Sequence, residues 1–486
     1  PGGTRVIDNA STVVFRTSTV GSASNNEFGN VVVERSAGSA PGGDLIIHGD
    51  LTINNSTNGI TFRGIYRDTK GYRTHTVYGN VYLKRGQWSC VDWGSDSTVG
   101  CTWDIKGDVN VIPSAIGEAR IGPLTSASAV GIGIFNIKGN LNIVGGRFQC
   151  GSSSTLATGT GIFNLGGNFT ITGGGWTTTN TKGNFAVNFV GTSPQTVKLD
   201  TNFSINTRVY DTVATGSTVI FDLGKYAWRS YDSANGTTGG AFVVNGTLEL
   251  KDSTRLRGMN SFTLNPGATL IIGKNDGIMN LPDSTNGNIQ VSGTRTYSTG
   301  ANYEYKGYGF QETGDGLPSS VNDLTINNSN DVKLLVPVTV NGTVAVNNGD
   351  FKLNGNKLTL GPTATMVETP GNTCVGTVEA TRTVSQAVAE SFGGIGAAIN
   401  AAGAALGVTT IQRVTDIAQS GNGYTSILRS FDIVPATNSG LNATLDFYYD
   451  VSELNGQDAA KMMLWKSADG GTTWSYQTSS NYPVEY

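Results

Sequence analysis

A short alternation of apolar and polar residues recurs along the first part of the chain. Each copy begins with Gly and then Asn or Asp, and it continues with apolar residues at every second position, as in Gly49-Asp50-Leu51-Thr52-Ile53. Alternation with a period of two is typical of a strand that buries one face. Gly, Asn and Asp also tolerate the positive φ of a tight corner. The pattern therefore predicts a corner followed by a short strand in each copy.

The spacing of these copies indicates a repeat architecture. Successive copies are 20, 30, 28, 32 and 28 residues apart, and they begin at Gly29, Gly49, Gly79, Gly107, Gly139 and Gly167. A single such strand cannot bury its apolar face alone, but strands stacked coil upon coil share a common core. Gly-Asn-apolar is also a common junction between turn and strand in any all-β protein, but six copies in nearly regular register favour a solenoid. We predict an all-β chain that forms a right-handed parallel β-helix of about three strands per coil.

The pattern divides the chain into three predicted parts. Residues 1–40 contain a strand that starts or caps the stack, around Val13 and Phe15. Residues 41–366 form the β-helix, with a looser register after residue 192. The pattern breaks near residue 367, and strands expected at 427–434, 443–449 and 462–466 predict a small Ig-like β-sandwich over 367–486.

Composition and charge narrow the possible functions. The chain has 67 glycines among 486 residues, only 14% charged residues and a net charge of −4, which favours turns and strands over helix. It contains no long basic run, so nucleic acid is not an expected partner. It contains no run of eighteen apolar residues, so no membrane span is expected. The chain opens at Pro1, which is expected after removal of a signal peptide or in a sequence that starts mid-chain.

The four cysteines predict disulfides. Cys90 and Cys101 flank one loop, and a disulfide between them would place the protein outside the cytoplasm. Cys150 and Cys374 are far apart in sequence, and they could pair, stay as buried thiols or bridge to another chain. No Cys-x-x-Cys, phosphate-binding loop or calcium repeat is present, so no metal or cofactor is expected.

A loop rich in tryptophan and aspartate is the candidate binding site. Aromatic faces stack on sugar rings and carboxylates accept hydrogen bonds from hydroxyls, and the loop contains Trp88, Trp93, Trp103, Asp92, Asp96 and Asp104. Some β-helix enzymes cleave polysaccharides with paired carboxylates in a groove. The alternative is a disulfide-pinned loop whose tryptophans pack on a neighbouring coil or chain. No general base stands out, so we expect no catalytic residues.

One further motif lies near the C-terminus. Ser467, Asp469, Gly471 and Trp474 match the Asp-box pattern, which resembles that of sialidase-like propellers. In those proteins the Asp binds backbone amides of a hairpin turn, and a propeller would have several copies, whereas this chain has one. We therefore expect these four residues to form a structural turn.

The last part of the chain resembles the secreted, repetitive surface proteins of Bacteroidetes and Ignavibacteria that the type IX system exports. The match covers residues 295–480, and the segments that carry it are 316–328, 336–343, 430–435, 440–445, 453–456 and 464–474. The resemblance implies export, an extracellular or cell-surface location, and a β-helix followed by a β-sandwich. Such chains usually end in a sorting domain, and none is visible before Tyr486.

Together these features predict a non-enzymatic extracellular structural protein. We expect a self-assembling subunit of a surface filament, sheath or layer, joined through β-helix faces and through terminal strands that add to a neighbour. The main expected partner is therefore another copy of the chain. The alternative is a carbohydrate-binding or carbohydrate-active protein, such as an adhesin or a polysaccharide lyase or hydrolase, that binds surface glycans through the loop 88–104.

Overall fold

The computed structural model describes residues 8, 10–16, 20, 26–65, 71–91, 98–115, 118–124, 130–149, 159–177, 183–201, 203–205, 208–230, 240–280, 286–477 and 484–485. The chain divides into two compact units. Unit 1 comprises residues 1–270 and 282–296, and unit 2 comprises residues 271–281 and 297–486. The strands Thr269–Ile272 and Arg295–Tyr297 contain residues of both units.

Unit 1 is a parallel β-helix whose coils contribute strands to three faces. Face 1 contains Thr12–Phe15, Asn30–Val33, Leu51–Asn54, the start of Val81–Val91, Val109–Val111, Leu141–Val144, Phe169–Thr172, Gln195–Leu199, Thr218–Phe221 and Thr247–Leu250. Face 2 contains Glu27–Phe28, Ile46–Ile47, Tyr72–Val77, Gly100–Ile105, Ile132–Ile137, Thr160–Leu165, Asn184–Phe189, Arg208–Val213, Ala241–Val244 and Ser261–Leu264. Face 3 contains Thr61–Ile65, the end of Val81–Val91, Ala119–Leu124, Arg147–Gln149 and Gly175–Thr177, and then Phe203–Ile205, Ala227–Ser230, Arg255–Gly258 and Ile289–Val291.

The predicted alternation places the core inside the coils. On face 1 the register aligns Val31 with Leu51 and Leu51 with Val81, and all three are fully buried. Their neighbours Val32 and Thr52 point outward and are partly exposed. Alternate side chains of each strand therefore form a continuous apolar column, which confirms the predicted all-β class and the parallel β-helix.

The corner glycines are required by close packing. Gly79 N donates to Gly49 O at 3.0 Å, and Gly107 N donates to Gly79 O at 3.2 Å. A Cβ atom at Gly79 would lie 2.5 Å from Gly49 O, and one at Gly107 would lie 2.5 Å from Gly79 O. The six glycines of the repeat do not have positive φ. The expectation that these corners need positive φ is therefore wrong, because the spacing between coils is what excludes a side chain.

The Asn or Asp after each glycine links its coil to the next. Asn80 N donates to Asp50 Oδ1 at 2.7 Å, and Asp108 N donates to Asn80 Oδ1 at 2.8 Å. The same bond joins Asn30 to Asp50, Asp108 to Asn140, Asn140 to Asn168, and Asn168 to Thr196. We call this series the corner ladder. It satisfies backbone N–H groups that leave the sheet at the corner.

Unit 2 also contains parallel strands, and antiparallel sheets follow them. One parallel sheet contains Asn302–Tyr305, Leu324–Asn327, Thr343–Asn348 and Thr365–Glu368. The other contains Gln311–Glu312, Ser320–Val321, Val332–Lys333, Val338–Val340, Phe351–Leu360 and Cys374–Val384. The antiparallel strands are Gly407–Thr415 and Arg429–Pro435, which continue that second sheet, and Ala397–Ala401 with Ala443–Tyr449, to which Val484–Glu485 adds in parallel. Two hairpins, Ser420–Gly421 with Tyr424–Thr425 and Leu464–Lys466 with Ser475–Gln477, and the 3₁₀ helices Val451–Glu453 and Ala459–Lys461 complete the described elements.

Two antiparallel sheets lie in the C-terminal part of unit 2, where a small β-sandwich was predicted. The rings of Phe431 and Phe447, one from each sheet, stack with their centroids 4.9 Å apart. Antiparallel pairing starts where Cys374–Val384 meets Gly407–Thr415. The division into 1–40, 41–366 and 367–486 stays a prediction, as does the Ig-like character of the last part, and the two compact units divide the chain within residues 271–297.

Candidate functional site

The two described tryptophans of the predicted glycan loop lie in the core. Trp88 and Trp103 are fully buried, and their ring centroids are 5.2 Å apart. Trp88 also packs edge-on against Phe135 at 4.7 Å, and Trp103 packs against His75 at 4.4 Å. Because both rings face the interior of the coils, neither can stack on a sugar. Their predicted role in glycan contact is therefore wrong, and the alternative of packing between coils is correct for these two residues.

Asp104 points away from the tryptophans. It follows Trp103 on the strand Gly100–Ile105, so its side chain emerges on the outer side of face 2, where it pairs with Lys106. In register it lies beside Asn136 of the next coil. Asp92, Trp93 and Asp96 lie outside the described residues. Trp88, Trp103 and Asp104 thus do not converge on one site.

The described cysteines are buried thiols. Cys90 and Cys101 are both fully buried and unbonded to each other, so the predicted disulfide is not formed in this structure. The Cys90 thiol donates to Ile134 O at 3.2 Å. Burial, together with the neighbouring Cys90, raises the pKa of Cys101 well above its usual value, which suppresses the reactive thiolate. Cys374 is also a free buried thiol, and Cys150 lies outside the described residues.

His75 has both ring nitrogens satisfied by backbone groups. Its Nδ1 accepts from Leu45 N at 3.1 Å, and its Nε2 lies 2.7 Å from Gly64 O. Only the tautomer with the proton on Nε2 fits both contacts. His75 is therefore a neutral core residue, and neither nitrogen is available for catalysis.

The Asp-box residues form the turn between Leu464–Lys466 and Ser475–Gln477. Asp469 accepts from Thr473 N at 2.9 Å and from Thr473 Oγ1 at 2.6 Å, and Ser467 Oγ accepts from Gly471 N at 2.8 Å. Trp474 Nε1 donates to Gly471 O at 3.1 Å, which closes the turn. The bonds from Thr473 lower the pKa of Asp469 to about 2. All of these groups bind the loop itself, as expected for a structural turn.

Sequence reasoning missed a buried group of charges in unit 2. Arg413 is fully buried and donates to both carboxylate oxygens of Glu368, at 2.7 and 2.8 Å. Arg429 pairs with Glu453 at 2.7 Å, and its guanidinium lies 4.0 Å from Glu368. These residues lie on separate strands and on a 3₁₀ helix, so no short motif joins them in sequence. The only available signal was an isolated arginine in the alternating strand Gly407–Thr415.

The last parallel coil of unit 2, which contains Thr365–Glu368, is capped by residues that follow it in the chain. Met366 N, on the strand Thr365–Glu368, donates to Gly393 O at 2.7 Å. The Arg382 guanidinium donates to Gly361 O at 2.9 Å and to Ala364 O at 2.7 Å. Later parts of the chain therefore occupy the hydrogen-bonding groups of this edge.

The first strand of face 1 in unit 1, in contrast, has one edge that no described residue covers. Thr12–Phe15 pairs in parallel with Asn30–Val33 along its full length, and no other described residue pairs with its second edge. Val13 occupies the inner column of Val31, yet it is 36% exposed whereas Val31 is 0% exposed. Val14, on the outer side, is 40% exposed. In the described part of the chain, the first strand of the unit 1 stack therefore has one uncovered edge.

Comparisons with protein-family models, curated proteins and solved structures give no match to this chain. Within the described ranges, no group of three or more His, Cys, Asp or Glu residues is arranged to hold a metal ion. The described helices are too short and too polar to be candidates for a membrane-spanning segment.

Proposed function

We propose that this protein is an extracellular structural protein, a subunit that assembles with copies of itself into a surface filament, sheath or layer. The corner ladder is the observation that carries the proposal. Its repeated Asn and Asp side chains bond each coil to the next, as between Asp50 and Asn80, and so serve cohesion along the stack. Parallel strands joined in this way form a stiff, cooperative support.

The outer side of face 2 supports the same proposal. Asn164 Nδ2 donates to Asn136 Oδ1 at 2.8 Å, and Asn188 Nδ2 donates to Asn164 Oδ1 at 2.9 Å. Amide ladders of this kind reinforce stacked strands and give an uncharged polar surface suited to lateral contacts. The extracellular location rests on the resemblance over residues 295–480.

Electron microscopy of native material tests the proposal. We expect long regular filaments or sheets in which the repeating unit has the mass of this chain. Particles that stay monomeric at every protein concentration, or measurable turnover of a glycan, would contradict it. A variant with Asn164→Ala tests the contribution of face 2, and we expect fewer lateral contacts with the fold retained.

Carbohydrate binding is a second candidate, and an exposed aromatic group in unit 2 favours it. Trp465 lies between Tyr424 and Tyr476, with ring centroids 6.2 and 6.0 Å away, and the two tyrosines are 66% and 50% exposed. Exposed aromatic rings are the usual platform for sugar rings. In a glycan-binding screen, Trp465→Ala should abolish binding, whereas Tyr308→Ala, at a separate tyrosine that is 73% exposed, should leave it unchanged.

A further inference from the structure

We infer that Thr12–Phe15 is a docking edge for the same strand of a second copy, and that the two strands pair antiparallel about a two-fold axis. The inference rests on the proposed self-assembly and specifies where one of its contacts lies. It starts from a difference in exposure between this strand and Asn30–Val33, with which it pairs. Val13 is 36% exposed, whereas its stacked neighbour Val31 is fully buried.

The backbone of this strand offers one complete hydrogen-bonding edge. Ser11 O accepts from Asn30 N at 2.7 Å, and Phe15 O accepts from Glu34 N at 2.9 Å. Successive residues of a strand direct their backbone groups to opposite sides, so the odd-numbered positions bond the coil below. The N–H and C=O groups of Thr12 and Val14 are therefore directed to the other side, away from Asn30–Val33.

Side chains leave this edge unprotected. Proteins usually guard an exposed edge strand with a charge, a proline or a bulge. Arg429–Pro435, an outer strand of unit 2, has such guards in the exposed Asp432 and in Pro435, which has no N–H. Thr12–Phe15 has neither a charge nor a proline, and its residues Thr-Val-Val-Phe all favour strands.

A second copy is the occupant because a two-fold axis makes the edge complementary to itself. An axis along the sheet normal reverses the strand direction and keeps the inner side chains on the inner side. When Val14 lies opposite Val14 of the other copy, Val13 of each copy lies opposite Phe15 of the other. Both are inner positions, so the apolar column continues across the joint and covers the exposed Val13.

Site-specific cross-linking gives the first test. In the proposed dimer the two Val14 positions are adjacent, so Val14→Cys should give a covalent dimer with a short bis-maleimide. Val32→Cys is the matched control, because Val32 is the outward neighbour of Val14 one coil further in. The two Val32 positions would be separated by about three strand spacings, roughly 14 Å, which a short linker does not span. We therefore expect Val32→Cys to stay at the background of the wild-type protein, whose described cysteines are buried.

A second variant tests the edge without a cross-linker. Val14→Pro removes the one N–H at the centre of the edge and leaves the bonds to Asn30–Val33 in place. Sedimentation should show loss of the dimer, while hydrogen exchange of Asn30–Val33 stays as protected as in the wild type. This protection shows that the stack is still folded.

Three other outcomes would overturn the docking edge. If the wild type associates but Val14→Cys gives no covalent dimer, the docking edge is wrong and the proposed self-assembly stands. A Val14→Cys thiol that does not react with maleimide would show that the edge is covered within the chain, which also overturns the inference. If the wild type is monomeric at all concentrations and forms no filaments, the proposed function fails and the docking edge fails with it.

Discussion

The Arg413 guanidinium and the Glu368 carboxylate form a two-bond ion pair inside unit 2, with N–O distances of 2.7 and 2.8 Å. Arg413 comes from a strand of the antiparallel region, and Glu368 ends the last strand of a parallel sheet. Cys374 N adds a third bond to the same carboxylate at 2.7 Å. The pair thus joins the antiparallel region to the end of the parallel stack within one unit.

Arg413→Ala should destabilise unit 2 by about 3–5 kcal/mol, because it leaves the Glu368 carboxylate buried without its partner. Denaturant unfolding measures the change, and hydrogen exchange assigns it to unit 2. Replacing both residues, Arg413→Met with Glu368→Leu, should cost much less than the single change, since neither charge of this pair is then left buried without its partner. Lys461→Ala is the control, because Lys461 is 83% exposed and its pair with Asp458 should contribute almost nothing.

Acid should weaken the same region. Burial raises the pKa of Glu368, but the Arg413 guanidinium outweighs burial, and the pKa lies below its ordinary value of 4.5. The carboxylate therefore stabilises the folded state above pH 4.5, and this contribution is lost as the pH falls through the lower folded pKa. A pH series of unfolding measurements should show this loss in the wild type and a smaller one in the double variant. Equal slopes in the two proteins would contradict the assignment.

Asp211 should give unit 1 the opposite dependence on pH. Its carboxylate is fully buried, accepting from Trp228 Nε1 at 2.7 Å and from Val187 N at 3.0 Å, and burial raises its pKa from 3.8 to about 7. Between these values the folded state holds a proton that the unfolded chain has released, so stability falls as the pH rises from about 4 to 7, by roughly 4 kcal/mol. Above pH 7 the dependence ends.

Asp211→Asn should remove this slope, and the measurement is unfolding of unit 1 at several pH values between 4 and 8. Asp222→Asn is the control, because its side chain is 46% exposed and pairs with Lys198 at the surface. A slope that persists in Asp211→Asn would show that another group titrates.

The corner ladder can be tested with a pair of substitutions at one position. Asp108 Oδ1 accepts from Asn140 N at 2.6 Å, so Asp108→Ala leaves a partly buried N–H without its acceptor and should cost about 1–2 kcal/mol. Asp108→Asn keeps the acceptor and should be close to neutral. Hydrogen exchange at Asn140 distinguishes the two variants, and equal exchange rates in both would contradict the role of the ladder.

The buried thiols should resist modification in the folded protein. Cys90 and Cys101 are fully buried and the pKa of Cys101 is raised, so a thiol reagent at pH 8 should label neither of them until the protein is unfolded. Site-resolved mass spectrometry measures the labelling. A disulfide-linked peptide containing both residues would instead support the disulfide predicted from their spacing.

Period-two alternation made the fold predictable, because inner positions such as Val31 and Leu51 are apolar in every coil. The role of the corners was not predictable from the same residues. Asn and Asp are common both at positive φ and as acceptors, and only the stacking of coils reveals the bond from Asn80 N to Asp50. The exposure predicted for Trp88 was wrong because Trp88 lies on Val81–Val91, a strand that continues through a corner. At the corner the inward-facing positions change from odd-numbered to even-numbered residues. The pair between Glu368 and Arg413 depends on contacts across 45 residues, and no local pattern encodes it.

The corner ladder also sets how unit 1 can change in size. The coil that starts at Gly29 has 20 residues and the one at Gly107 has 32, yet each takes one place in the same register. Each coil therefore advances the stack by the same strand spacing, about 4.8 Å, and its additional residues extend sideways. Insertions within a coil widen this protein at one level, whereas deletion of residues 79–106 would bring Gly107-Asp108 onto Gly49-Asp50 and shorten the stack by one step. The length of the unit 1 stack thus follows the number of coils and is independent of the number of residues in each coil.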